Sequence, residues 1–375
     1  MIRPTAIILA FALCIGGVLA AVTTDWTASA TATAASPAPP LPPPPVPAAA
    51  PSRTGTQPSA TARPSATADQ WSQNALRDRL VAELDATDPG RALADLEKAI
   101  TAHPDVARYC HPIAHELGHA ALEKYHGSFD TAVHYRNDVC GSGYLHGIVE
   151  EKLAESPAPA TDVTTLCAPQ QSASCIHGIG HGAMFVAKLD VPGAERLCSR
   201  FTAAYAVTAC SEGIFMQFFE PDESDPRAMA NLPADRLAAE PLYPCPEQPV
   251  AFRGACYYYA PAYFLQKHDY AHHPESYAAG LTWCRNAPVS DGGRNACTMG
   301  LGSRIMKYNI DREQWSADQC EHAAADQRAP CVAGLVSYYR VHYHDQGAAS
   351  RLCGKLSGAA RTDCRAAAGY STTAD

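Results

Sequence analysis

The chain has 375 residues, a formal charge of −9, 15 Cys, 15 His and 30 Pro. The length suits one large domain or two ordinary ones. The acidic balance argues against a nucleic-acid binder, which needs a basic face, and the cysteine count argues against a reducing cytosol. Eleven of the prolines fall between Pro37 and Pro64, so the remainder has an ordinary globular composition enriched in Cys and His.

Residues 1–22 carry one positive charge at Arg3 and then 17 uncharged residues from Ala6 to Val22. This is the pattern of an export signal, with Val18-Leu19-Ala20 before a cleavage point. The run is also long enough to remain as a membrane anchor. Residues 23–69 are Ala, Thr, Ser and Pro with little apolar bulk, which reads as a disordered linker, stiffened at Pro42–Pro45. Both readings place the rest of the chain, a single cysteine-rich domain over 70–370, outside the cytoplasm, secreted or tethered to the membrane by its N-terminal segment.

Fourteen cysteines lie between Cys110 and Cys364. Six local couples stand out: Cys167 with Cys175, Cys198 with Cys210, Cys245 with Cys256, Cys284 with Cys297, Cys320 with Cys331, and Cys353 with Cys364. Their members are separated by 8, 12, 11, 13, 11 and 11 positions. Cys110 and Cys140 form the seventh couple. Connectivity is normally not legible in a sequence, but here one local rule uses every cysteine. The second members, Cys140, Cys175, Cys210, Cys256, Cys297, Cys331 and Cys364, recur at steps of 35, 35, 46, 41, 34 and 33 residues. That period signals an α-solenoid of about seven helix-pair repeats. Each unit reads as helix A, Cys, short loop, Cys, helix B, and no sustained period-2 alternation suggests strands. Cys-x-x-Gly recurs at Gly143, Gly178, Gly213, Gly300 and Gly334. Glycine in a helix costs about 1 kcal/mol, so its recurrence predicts close helix–helix approach.

This cysteine placement and period resemble the secreted, cysteine-rich Sel1-like (TPR-like) repeat proteins over about residues 105–370. The resemblance implies an all-α fold in which a disulfide ties helix A to helix B. It also implies export and binding of an extracytoplasmic protein, peptide or cell-wall ligand on a concave face.

The histidines carry the chemistry. His115-Glu116-Leu117-Gly118-His119 is His-Glu-x-x-His. On a helix it puts two imidazoles on one face for Zn²⁺, with Glu116 as the catalytic base that polarises metal-bound water. The third ligand would be Glu150 or Glu151. Yet His177-Gly178-Ile179-Gly180-His181 repeats the spacing without the Glu, so the motif is also one copy of a repeat pattern. Numbered from the second Cys of each unit, His146 and His181 share slot +6, continued by Met216. His177 takes slot +2, held by Ser142 and Glu212 in neighbouring units. Stacked helices B would then line up His115, His119, His146, His177, His181 and Glu150 as ligands for a divalent transition metal. Zinc is the first choice, and copper or iron is also suited. His111, Ser142, Glu212 and Met216 would support them from behind.

Two other readings stand beside the metal site: a zinc-dependent hydrolase using Glu116, and a binding scaffold whose histidines only bond neighbouring repeats. Clustered imidazoles would also repel one another on protonation and so sense pH. Tyr257–Tyr259 with Tyr263, the group His268, His272 and His273, and the pair His342 and His344 are weaker signals. No nucleophile elbow, phosphate loop, dinucleotide fingerprint or haem-attachment motif occurs.

Overall fold

The computed structural model describes residues 70–168, 172–221, 226–229, 233–345 and 347–369. The export segment and linker read at 1–69 lie outside them. The described residues are helical with no strand, and no helix among them is long and apolar enough to cross a membrane.

Helices α1 (Gln73–Ala86) and α2 (Pro89–Ala102) open the fold. Ser72 and Asp88 cap them by accepting from the backbone N–H groups of Ala75 and Arg91, and Pro89 occupies the first turn where its missing N–H costs nothing. Leu76, Leu80 and Leu84, one turn apart, are buried on one stripe of α1. A 3₁₀ turn at Pro104–Tyr109 leads into a series of long and short helices. The long ones are α3 (Cys110–Lys124), α5 (Val139–Ala154), α7 (Ala173–Val186), α9 (Ala204–Phe219), α12 (Val250–Lys267), α14 (Gly293–Tyr308) and α16 (Arg328–Tyr343). The short ones are α4 (Phe129–Val133), α6 (Pro159–Thr165), α8 (Val191–Cys198), α10 (Pro226–Met229), α11 (Ala234–Ala239), α13 (Ser276–Trp283), α15 (Glu313–Gln319) and α17 (Ala348–Lys355). A last helix, α18 (Gly358–Ala367), follows.

Each long helix packs on the next in chain order, from α3 through α18. The row then turns back on itself: α16 touches α5, and the 3₁₀ turn before α3 touches α14. At the return, a Cβ built on Gly141 would meet Val341 Cγ1 at 2.9 Å. The long helices thus surround a common pocket that opens to solvent where Val250, Gly254 and Val341 are exposed. The buried apolar side chains form two clusters, one running from Leu76 to Cys297 and one from Leu265 to Cys364 that also takes in Ala107.

All seven cysteine couples are disulfides, with Cα–Cα separations of 5.4–5.8 Å. Such bridges belong to an oxidising compartment. In six of them the first cysteine ends or follows a short helix and the second lies in the next helix of the row. Thus Cys167 bonds Cys175 in α7, Cys198 bonds Cys210 in α9, and Cys245 bonds Cys256 in α12. Likewise Cys284 bonds Cys297 in α14, Cys320 bonds Cys331 in α16, and Cys353 bonds Cys364 in α18. The bond between Cys110 and Cys140 differs, because it joins two neighbouring long helices, α3 and α5, across 30 positions. In the chain-entropy model, closing a loop of about ten residues stabilises by roughly 2–3 kcal/mol.

The recurrent glycines sit where long helices meet. A Cβ on Gly300 would lie 1.8 Å from the Tyr258 carbonyl oxygen, and one on Gly213 would lie 2.0 Å from that of His177. Only a hydrogen fits there. Gly300→Ala must push α14 away from α12, and the expected loss is about 3 kcal/mol, at the upper end for overpacking. Gly354, whose Cβ would meet nothing within 4 Å, is the control: Gly354→Ala should leave the urea midpoint unchanged or slightly raised.

Candidate metal centre

Helices α3, α5 and α7 bring six imidazoles into one cluster. His111, His115 and His119 come from α3, spaced one turn apart so that they share a face. His146 comes from α5, and His177 and His181 from α7. Neighbouring ring centroids lie 4.6 Å apart for His111–His115, 4.8 Å for His115–His181, 4.7 Å for His146–His177 and 5.0 Å for His177–His181. Close packing of the helices permits this, since Gly118 and Gly147 let α3 and α5 approach almost backbone to backbone.

Two overlapping groups have ligand atoms mutually within 4.8 Å: His111, His115, His146 and His181, and His115, His119 and Glu150. They differ in how their polar atoms are already engaged. In the first group, three imidazoles have Nδ1 held by an acceptor. His111 Nδ1 donates to the Cys140 carbonyl at 2.6 Å, His115 Nδ1 to Glu150 Oε2 at 3.1 Å, and His181 Nδ1 to Gln217 Oε1 at 2.9 Å. These acceptors place a proton on each Nδ1 and turn the Nε2 atoms toward the cluster, as partners behind metal-bound histidines do. His181 Nε2 and both nitrogens of His146 are buried and make no hydrogen bond. His111 Nε2 and His115 Nε2 stand 3.0 Å apart, close enough to share one proton.

The second group is engaged mainly by charge: Glu150 is buried, with His115 Nδ1 bonded to one oxygen, while His119 Nε2 lies 3.0 Å from the other without hydrogen-bond alignment. His119 Nδ1 faces Glu116 Oε1 at 3.5 Å. Burial disfavours a charge on His119, but the flanking carboxylates of Glu116 and Glu150 outweigh it and raise the imidazole to about 10. An imidazolium donates and does not ligate. Glu150 shows the converse: burial would raise its carboxyl, yet the bonds from His115 and His119 hold it well below the usual carboxylate range. By contrast, burial and the neighbouring rings keep His111 and His146 well below the ordinary imidazole value and lower His181 to about 4. Neutral imidazole is the metal-binding form.

The backbone beside the cluster is strained. Cys140, Gly141 and Ser142 have φ of 55°, 64° and 62° at the start of α5. Successive left-handed residues are costly for side chains other than glycine. Here the turn accompanies the Cys140 carbonyl that holds His111.

The cluster forms part of the wall of the interior cavity, whose volume is about 630 Å³ and which His111, His146 and His177 border. A smaller cavity of about 200 Å³ touches His111, His115 and His181 from another side.

His111, expected behind the ligands, falls in the four-imidazole group, and His119 and Glu150, expected as ligands, fall with His115 in the second group able to hold a metal. His177 stacks on His146 with its Nε2 unpartnered, but belongs to neither four- nor three-residue group. Ser142 donates to Asp138 at 3.0 Å, with no bond to the imidazoles. Glu212 and Met216 line the cavity. Glu116 lines neither cavity and is engaged on His119. Gln217, which orients His181, was missed because a lone Gln in an apolar helix carries no motif. His268 and His272 belong to an exposed turn where His272 pairs with Asp269.

No family model, curated protein or solved structure matches the chain. What the site does must therefore be argued from its own atoms.

Proposed function

We propose that this protein binds one divalent transition-metal ion through Nε2 of His111, His115 and His181 together with His146, at the wall of its interior cavity. The observation that carries this reading is the buried, unpartnered nitrogens of His146 and Nε2 of His181, beside His111 and His115, whose Nδ1 atoms, like that of His181, are held by acceptors. Leaving such groups unpaired costs about 1–3 kcal/mol each, and a cation satisfies several at once. A four-imidazole set suits zinc first, and Cu²⁺ or Fe²⁺ also accept it. The fold supporting it is read as an exported stack of about seven helix-pair repeats of the Sel1-like kind, secreted or held at the membrane by residues 1–22.

The decisive experiment is metal analysis of protein purified from an oxidising compartment. One equivalent of metal per chain is the expected result. A chain that stays metal-free at micromolar zinc, copper and iron would leave the histidines as packing groups and favour the scaffold reading.

A second reading, zinc-dependent hydrolysis with Glu116 as base, draws on the His115, His119 and Glu150 group. Its position off both cavities and its pairing with His119 weigh against it. Glu116→Gln should therefore leave metal content unchanged and lower the protonation of His119, read as a fall in its NMR titration midpoint. A hydrolytic activity lost in this variant with metal retained would restore the enzyme.

A further inference from the structure

The interior cavity contains a second arrangement with no part in holding the metal. Glu220, at the end of α9, reaches α14 and accepts from Arg304 Nε at 2.7 Å and Lys307 Nζ at 2.8 Å. All three side chains are nearly withdrawn from water, at 8%, 3% and 10% exposure. Two cations share one carboxylate, so a buried charge of +1 is left over. Other acids do not cancel it. Asp291 on the same wall pairs with Arg253 at 3.4 Å. Glu212 is pushed up to about 7 by burial, so it carries only part of a charge at neutral pH. Glu150 lines neither cavity and is consumed by His115 and His119.

The guanidinium is also incompletely bonded. Arg304 Nη1 reaches the carbonyls of Tyr258 and Gly300 at 3.4 and 3.5 Å, while Nη2 has no acceptor among the described residues. An unbalanced, under-bonded buried cation is costly unless an anion completes it. The rest of the wall is mostly apolar or aromatic, and Tyr258 and Tyr259 stack against Arg304 with centroids 5.1 and 4.5 Å from its Cζ. About 630 Å³ of mostly apolar space with a few convergent polar groups is the usual form of a small-molecule site.

We propose that the cavity binds an aromatic carboxylate. Its acid group sits between Arg304 Nη2 and Lys307 Nζ, and its ring lies against Tyr258 and Tyr259. This does not depend on the metal centre, which shares the cavity wall but supplies none of these groups.

The test uses the full disulfide-bonded chain, metal-free and zinc-loaded, titrated calorimetrically with 2-naphthoate and its neutral isostere 2-naphthamide. We expect 1:1 binding of naphthoate in both forms, at least about tenfold tighter than the amide, a difference of 1.4 kcal/mol. Arg304→Gln should erase the preference. Because that variant also disturbs the Glu220 pair, Gly254→Phe serves as a second probe. Gly254 lines the cavity, and a Cβ there would meet nothing within 4 Å. It should fold normally, with unchanged circular dichroism, and bind neither ligand. Equal affinity for acid and amide, or naphthoate binding undiminished by Gly254→Phe, overturns the proposal. Binding confined to the zinc-loaded form overturns it too, since the acid would then be on the metal.

Discussion

His146→Ala is expected to lose the stoichiometric metal, whereas His119→Ala keeps it. The contrast follows from how the two imidazoles are engaged. His146 has two buried nitrogens and no hydrogen-bond partner, so both are free to ligate. His119 lies between the carboxylates of Glu116 and Glu150, which raise it, and its removal leaves the four-imidazole group in place. Retained metal in His146→Ala together with lost metal in His119→Ala would move the ion to the His115, His119 and Glu150 group. Between these extremes, Gln217→Ala and Glu150→Gln should weaken binding by about 10–100-fold without abolishing it, as loss of groups orienting a ligand does. Chelation should also lower stability. A site held at a hundredfold excess over its dissociation constant contributes about 2.7 kcal/mol to the folded state, readable as a fall in the melting temperature on dialysis against EDTA.

The second large effect belongs to Glu220. Glu220→Gln should destabilise the chain by about 3–5 kcal/mol in urea, because it strands two buried cations without their carboxylate. Replacing Glu220, Arg304 and Lys307 together by Met should cost far less, and an equal loss in that triple variant would show that packing rather than charge is at stake. The same pair sets an acid limit. Burial would raise the Glu220 carboxyl, but Arg304 and Lys307 outweigh it and hold it down at about 2, below the unfolded value. A carboxyl depressed in the folded state contributes fully above its unfolded pKa near 4.5 and loses that contribution as pH falls towards 2. Stability should therefore decline over that window in the native chain. The part of the slope due to Glu220 should be missing in Glu220→Gln.

What could be read beforehand was whatever is local or periodic. The disulfides obey a local rule, and Gly213 and Gly300 announce close approach because a costly residue recurs at a fixed offset from Cys210 and Cys297. The histidine cluster was legible for the same reason, since equivalent slots on successive packed helices fall together. The division of labour inside the cluster was not. Which nitrogens His111 and His181 turn toward the cluster depends on the Cys140 carbonyl and the Gln217 amide oxygen that engage their Nδ1 atoms, and no spacing encodes that. The Glu220–Arg304 pair, 84 positions apart, is likewise set by the return of the helical row.

The contact of α16 with α5 bears on how the molecule comes apart. An open stack of helix pairs frays from its ends, because each unit depends only on its neighbours and the terminal ones depend on one. Here Gly141 and Val341, far apart in the chain, abut. Detaching α16 therefore costs contacts with both its sequence neighbours and α5. Unfolding should become more nearly all-or-none, and closure should form late and slowly, because it must await long-range loop closure. Amide exchange in α5 and α16 would then proceed only through global opening, while α1 and α18, outside the closed circuit, exchange first.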